Sequence, residues 1–278
     1  MFKICVINGA DMKTLKPSTF LFAVLMGLIS VVSAADKGKY PGYLDTPVIT
    51  GQKWRVHDAN RPQPPVITPG MPSTQEKVGT APSDAIVIFD GTNMDQFENK
   101  SWKIEDGAMV VGKGYQKTVK KFKGDLQIHL EFNFPESNKT SQGRNNSGLF
   151  LMGRYEVQIL DCYKNVTYAD GMTAAIYGQQ PPQINACKPQ GQWQTYDILW
   201  TAPVFKDGKV VKKAAVTILV NGVLAQHNTE FKWPTQHKRL GEYKPHPEEE
   251  SISLQDHGNP VKFRNIWVRE INKPEPAE

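Results

Sequence analysis

At 278 residues and a formal net charge of +5, the chain is long enough for one large sandwich or barrel domain and too mildly basic to point to nucleic acid. No basic patch is interleaved with aromatic residues, which excludes the usual electrostatic footprint of a nucleic-acid binder.

Lys13 and Lys16 precede the apolar run Phe20–Val32, which ends in Val32-Ser33-Ala34 before Ala35. A basic start, a short apolar stretch and small residues at a cleavage point are the pattern of a secretory signal over residues 1–34. The run is short for a membrane span, which needs roughly 20 apolar residues, and no later segment is a candidate. The alternative is an uncleaved anchor. Met12 would begin this signal neatly, so residues 1–11 read as an over-extended start. The mature chain is then expected to be exported, with about 244 residues from Ala35 and a net charge of about +3.

Residues 35–82 carry prolines in stretches such as RPQPPVITPG and show no hydrophobic period. They are expected to form an extended arm, with Trp54, Val56 and His57 able to pin part of it to the body. From Ser83 the texture changes to short strand signals separated by Gly, Asn and Asp. DLQIHLEFNF (125–134) alternates strictly, sending Leu126, Ile128, Leu130, Phe132 and Phe134 to one side and Gln127, His129, Glu131 and Asn133 to the other. SGLFLM and YEVQIL follow as a hairpin turning at Gly153-Arg154, and Asn221-Gly222 is the strongest hairpin signal in the chain. No stretch of a dozen residues has a helical period. Many short strands without helices predict an all-β fold, an antiparallel β-sandwich or jelly roll over residues 83–272, with a tail at 273–278.

Common signatures of phosphate, serine-hydrolase and zinc chemistry are absent, so chemistry must come from polar residues on sheet faces. In YEVQILDCY, period-2 alternation sets Glu156 and Gln158 opposite Tyr155, Val157 and Ile159, and a bulge near Leu160 would return Asp161 to the polar side. The pattern E-x-Q-x-x-D resembles the bulged E-x-D-x-x-E strand of laminarinase- and lichenase-type jelly-roll glycosidases. Spacing argues against direct equivalence. Five residues of strand span about 16 Å, whereas retaining carboxylates approach to about 5 Å. The competing reading is an exposed polar strand face. Elsewhere Gln255 and His257 share one side of a strand end, and His246 lies in a proline-rich loop. Arg144 and Asn146 sit in the polar loop SQGRNNSG, either a clamp for sugar hydroxyls or a plain turn. Tyr168, Tyr177, Trp193 and Tyr196 offer flat faces for sugars, though aromatic residues equally fill sandwich cores. Cys162 and Cys187 can form one disulfide in an oxidising compartment or stay as separate thiols; spacing leaves both open.

The segments YEVQILDCYKNVTYADG, AAIYGQQPPQINACKPQGQWQTYDILW and ISLQDHGNPVKFRNIWVREI together resemble the 3-keto-disaccharide hydrolase domain family, from roughly Ser83 to Ile271. The resemblance implies a concanavalin A-like or laminin G-like jelly roll, secreted or periplasmic, acting on glycosides whose sugar carries a ketone at C3. It carries over to Glu156, Gln158, Asp161, Tyr168, Tyr177, Gln255 and His257, and to Asn146-Ser147-Gly148. Cys162 and Cys187 stand where small polar residues are more usual, which suggests a local disulfide. A 3-keto substrate needs no carboxylate pair: the ketone acidifies the C2 hydrogen, a base removes it, the C1 substituent leaves by β-elimination, and water adds back. That chemistry needs a base, an acid and an enolate stabiliser, and the expected holders are His257 or Glu156 as base, Asp161 or the other of that pair as acid, and Arg144 or a bound cation at the enolate. Arg144, Asn146, Gln158, Tyr168, Tyr177, Trp193 and Gln255 are the expected substrate contacts. No cofactor is required by the sequence, and a divalent cation is left open. Two alternatives are a non-catalytic, lectin-like module and an exported scaffold docking through its Pro-rich arm.

Overall fold

The structure, a computed structural model, describes residues 38–271. The expected secretory leader and the tail at 273–278 lie outside the described residues. The chain divides into two compact units, with the boundary at Pro62/Gln63. In the first, the described residues 38–62 are held by bridges Tyr43↔Asp58 and Val48↔Arg55. The Asp58 carboxylate there accepts from the backbone N–H groups of Arg55 and Asn60 at 3.0 and 2.9 Å.

The second unit is an antiparallel β-sandwich of the concanavalin A-like, jelly-roll type. Its larger sheet runs in space as Val223–Glu230, Ala215–Val220, Trp193–Thr201, Leu126–Asn133, Lys262–Glu270, Ala108–Val110 and Lys103–Glu105, with Ile86–Phe89 also pairing to Lys262–Glu270. The smaller sheet runs Gln116–Lys117, Ser253–Leu254, Ser147–Leu151 and Tyr155–Ile159. Among the described residues the helical content is two short 3-10 turns, Ser141–Gly143 and Ala169–Gly171. None of their helices is long and apolar enough to cross a membrane.

Alternation decides what lies between the sheets. Leu126, Ile128, Leu130 and Phe132 from the larger sheet meet Leu149, Leu151, Tyr155, Val157 and Ile159 from the smaller in one core. The Tyr155 ring packs against Trp200 and Phe231, with centroids 5.4 and 5.3 Å apart. Tyr155, Val157 and Ile159 are fully buried, and burying side chains of that size stabilises by about 1.5–3 kcal/mol each. A one-residue slip would put Glu156 and Gln158 into that core, so the register that places the polar pair outside is strongly fixed.

The turns follow their chemistry. Asn221 and Gly222 both have positive φ, 51° and 78°, the backbone of a two-residue I′ hairpin. The turn after Leu151 is one residue longer than expected: Met152 joins Gly153 and Arg154, and Met152 and Gly153 both have positive φ.

The polar side of Leu126–Asn133 faces away from the core, as its alternation predicts, but it is covered rather than solvated. The Pro-rich stretch expected to run as an arm to residue 82 is divided, and residues 63–82 belong to the sandwich unit. Arg264 donates to Glu131 Oε2 at 2.7 Å and to the Thr74 carbonyl at 2.6 Å. Ser73 Oγ donates to Glu131 Oε1, Asn265 Nδ2 donates to the same oxygen at 2.7 Å, and Gln75 bonds the Trp193 backbone at both N–H and C=O. A bulge makes this convergence: between the pairs Arg264↔Glu131 and Trp267↔His129 one extra residue intervenes, with Asn265 at φ 47°. Burial opposes charge on both Glu131 and His129. Hydrogen bonds from His129, Ser73, Asn265 and Arg264 nonetheless hold Glu131 down at about 2, and Asp197 and Glu131 hold His129 up at about 9.

Candidate active site

The outer face of the smaller sheet carries the candidate site. Pairing of Ser147–Leu151 with Tyr155–Ile159 sets Gly148 opposite Gln158 and Phe150 opposite Glu156. These four lie on the side away from the core. Gly148 leaves room for the carboxyl: a Cβ there would stand 2.6 Å from Glu156 Oε1. On one flank, Gln255 N–H donates to the Gly148 carbonyl at 2.9 Å, and Gln255 Nε2 donates to Tyr115 Oη at 3.0 Å. Among the described residues Gln255 Oε1 finds no donor. On the other flank the 174–177 segment continues the sheet. Gln158 exchanges backbone hydrogen bonds with Ala174 and Ala175, and Tyr177 N–H donates to the Glu156 carbonyl at 3.3 Å.

A further loop closes this edge. Thr235 Oγ1 accepts the Glu156 N–H at 3.0 Å and Thr235 N–H donates to the Arg154 carbonyl at 2.8 Å, which brings Gln236 and His237 alongside. The result is a cavity of about 460 Å³ lined by Glu156, Gln158, Asn146, Tyr168, Tyr177, Gln255 and His257, together with Tyr115, Gln142, Phe150, Thr235, Gln236 and His237.

Glu156 is 5% exposed, and burial alone pushes its carboxyl up to about 8. Among the described residues no cationic side chain offsets that effect. The amides beside it are short of protons. One end of the Gln158 amide lies 3.2 Å from Gln142 Oε1 and 3.4 Å from Asn146 Oδ1; the other lies 3.2 Å from Glu156 Oε1 and 2.9 Å from the Ser147 carbonyl oxygen. Acceptors therefore stand at both ends, and one NH₂ group serves only one of them. A protonated Glu156 or a ligand hydroxyl supplies a missing donor. Gln142 is fixed in turn, its Nε2 donating to Thr167 Oγ1 at 2.9 Å and the Gly171 carbonyl at 3.0 Å. Gly171 has to be glycine because the Tyr168 ring occupies the place of its Cβ. Tyr168 and Tyr177 hydroxyls lie 3.0 Å apart, and Tyr177 Oη lies 2.7 Å from His237 Nδ1.

Three sequence-expected residues lie elsewhere. The strand ends at Ile159 with an unbroken register, so the bulge expected at Leu160 does not form. Asp161 instead is fully buried beneath the 141–146 loop. Its carboxylate pairs with Arg144 Nε at 3.0 Å and accepts from Gln190 Nε2 at 2.6 Å. Both members of this pair are turned to each other and neither lines the cavity. Trp193 starts a strand of the larger sheet and points to that sheet's outer face, where the Arg264 guanidinium sits 4.1 Å from its ring centroid. His257 does line the cavity and is exposed. His246 lies in an irregular segment on the core side, its Nε2 2.9 Å from Tyr155 Oη. Cys162, buried, and Cys187, half-buried, are free thiols, and the Thr173 N–H donates to Cys162 Sγ at 3.3 Å. Among the described residues no group of three His, Cys, Asp or Glu side chains is placed to hold a metal ion.

Tyr115, Gln142, Thr235, Gln236 and His237 were not among the sequence candidates. His237 sits in WPTQHKRLG, a polar proline-containing loop without strand pattern. Only its docking against the edge of Tyr155–Ile159 brings it to Tyr177.

The fold is a β-sandwich with a polar candidate site on the face of the smaller sheet, and comparisons with known proteins make it a carbohydrate-active one. The chain belongs to the 3-keto-alpha-glucoside-1,2-lyase-like domain family, which matches residues 84–269. Among solved structures it is similar to a candidate glycosyl hydrolase of Parabacteroides distasonis, with 40% identity and a TM-score of 0.72 over 81% of this chain and 100% of that one. A second candidate glycosyl hydrolase of the same organism shares 19% identity over 68% of this chain and 94% of its own, with a TM-score of 0.47. No curated protein matches the chain.

Proposed function

We propose that the protein cleaves the glycosidic bond of 3-keto-glucosides, with Glu156 removing the C2 proton, the C1 substituent leaving by β-elimination and water adding back. One observation carries this reading: Glu156 is the single carboxylate among the residues lining the cavity. A double-displacement glycosidase needs two carboxyl groups about 5 Å apart, and an inverting one needs two about 6.5–9.5 Å apart. A ketone at C3 removes that requirement, because the C2 hydrogen becomes acidic enough for one base and the electrons come to rest on the C3 oxygen.

Burial makes Glu156 a stronger base than an ordinary carboxylate once it is ionised, and its value of about 8 lies near neutral pH, where proton transfer is best matched. The amide groups of Gln158, Gln142, Asn146 and Gln255 surround it with fixed dipoles able to hold sugar hydroxyls and the developing enolate. The apolar leader Phe20–Val32 supports an exported enzyme, secreted or periplasmic.

The test is to incubate the purified protein with 3-keto-trehalose and with trehalose and to follow released sugar across pH. Release from the 3-keto sugar alone is expected, with kcat/KM rising through about pH 8 as Glu156 ionises and a loss of about 10³-fold in Glu156→Gln. Cleavage of trehalose itself would overturn the chemistry. Binding of either sugar without turnover would leave a glycan-binding module.

A further inference from the structure

Resting on that reading, we propose that Tyr177 is the acid that protonates the departing C1 oxygen, with His237 resupplying its proton and the leaving group lodged in a second cavity beyond it. The elimination needs a proton for the leaving oxygen, and the carboxyl expected from sequence to give it, Asp161, is turned away into its pair with Arg144. Tyr177 occupies the required place. Its N–H donates to the Glu156 carbonyl, so the two residues lie opposite one another on adjoining extended segments and their side chains leave on the same face. Glu156 and Tyr177 both line the 460 Å³ cavity.

A second cavity of about 410 Å³ adjoins the first. The two share Tyr168, Tyr177, Gln236 and His237, and the second is completed by Asp170, Gly178, Lys238, Arg239 and Leu240. The sugar that loses its C2 proton at Glu156 therefore has its C1 substituent directed past the Tyr177 hydroxyl. That hydroxyl belongs to a chain: Tyr168 Oη lies 3.0 Å on one side and His237 Nδ1 2.7 Å on the other. Burial, Tyr168 and Glu156 all hold the Tyr177 proton on at neutral pH, so the group is a donor and not a base.

The atoms balance. The C2–H bond breaks and its proton goes to the Glu156 carboxylate. The electron pair forms the enolate, then returns to make the C1–C2 double bond as the C1–O bond breaks. The leaving oxygen takes the Tyr177 proton, and His237 relays a proton from solvent to the phenolate, its Nε2 taking one up as its Nδ1 gives one over. Addition of water at C1 runs the same path in reverse, returning a proton to C2 from Glu156 and releasing one from the added water through Tyr177 and His237 to solvent.

Leaving-group dependence tests the assignment. Wild type, Tyr177→Phe and Glu156→Gln are compared on 4-nitrophenyl and methyl 3-keto-glucosides, with folding checked by melting temperature. Nitrophenolate needs no proton, so Tyr177→Phe should keep kcat/KM within a few-fold on that substrate and lose about 10²–10³-fold on the methyl glycoside. Glu156→Gln should lose about 10³-fold on both. His237→Gln, which removes the proton relay, should alter the pH profile for the methyl glycoside alone. Equal loss in Tyr177→Phe on both substrates would place the hydroxyl at the enolate, and no loss on either would make it a bystander; each overturns the assignment while leaving Glu156 as base. A wild type silent on both substrates would remove the proposed function and this inference with it.

Discussion

Replacing Glu156 by Gln should make the protein more resistant to alkaline conditions, and the size of the effect follows from burial. In the folded chain the carboxyl is raised from 4.5 to about 8. In the unfolded chain it ionises normally, so between those values the folded state binds more protons and stability falls as pH rises. The contribution is fully present below about pH 4.5 and is lost as pH climbs through about 8. At about 1.4 kcal/mol per pH unit the whole span amounts to about 5 kcal/mol, and between pH 5 and pH 9 to about 4 kcal/mol. Urea unfolding of wild type and Glu156→Gln at both pH values measures it, with the m-value checked for constancy. His129, held near 9, also gives up stability as pH rises through that value, but it does so in both proteins and cancels in the difference. The expected result is a gain of about 4 kcal/mol for Glu156→Gln relative to wild type on going from pH 5 to pH 9. A difference that stays constant with pH would show that burial does not hold this carboxyl neutral, and the case for Glu156 as a tuned base would fail.

Two further changes separate the site from its supports. Gly148→Ala places a Cβ 2.6 Å from Glu156 Oε1; the carboxyl must swing aside, and kcat/KM on 3-keto-trehalose should fall about 10²-fold with a near-wild-type melting temperature. Arg144→Met strands the buried Asp161 carboxylate and should cost about 3–5 kcal/mol in urea unfolding. Asp161→Asn should cost less and keep activity per folded molecule, whereas a specific loss of kcat would return Asp161 to the chemistry.

Much of the fold was legible because its signals are local. The alternation of DLQIHLEFNF and YEVQIL, and the turn chemistry of Asn221-Gly222, depend on residues within a few positions of one another. The same alternation placed Glu156 and Gln158 together on the outer face. Asp161 was misplaced because the strand stops at Ile159 and the residue beyond it turns to Arg144, a partner from a loop before the hairpin that no local pattern names. Trp193 was misplaced for a related reason: a period of two says which residues share a face, not whether that face meets the cavity, the core or the 73–75 segment.

By itself, then, the amino-acid order determined an all-β sandwich and the polar face of Tyr155–Ile159; Asn146, Tyr168, Tyr177, Gln255 and His257 were named through a resemblance, and the fold sets them round one cavity. The tertiary structure alone decided that Glu156 is the only carboxylate lining the cavity among the described residues, that burial shifts it, and that His237 reaches Tyr177. Periodicity is a property of adjacent residues. Desolvation and a hydrogen bond between positions 177 and 237 arise only when distant segments close over one another.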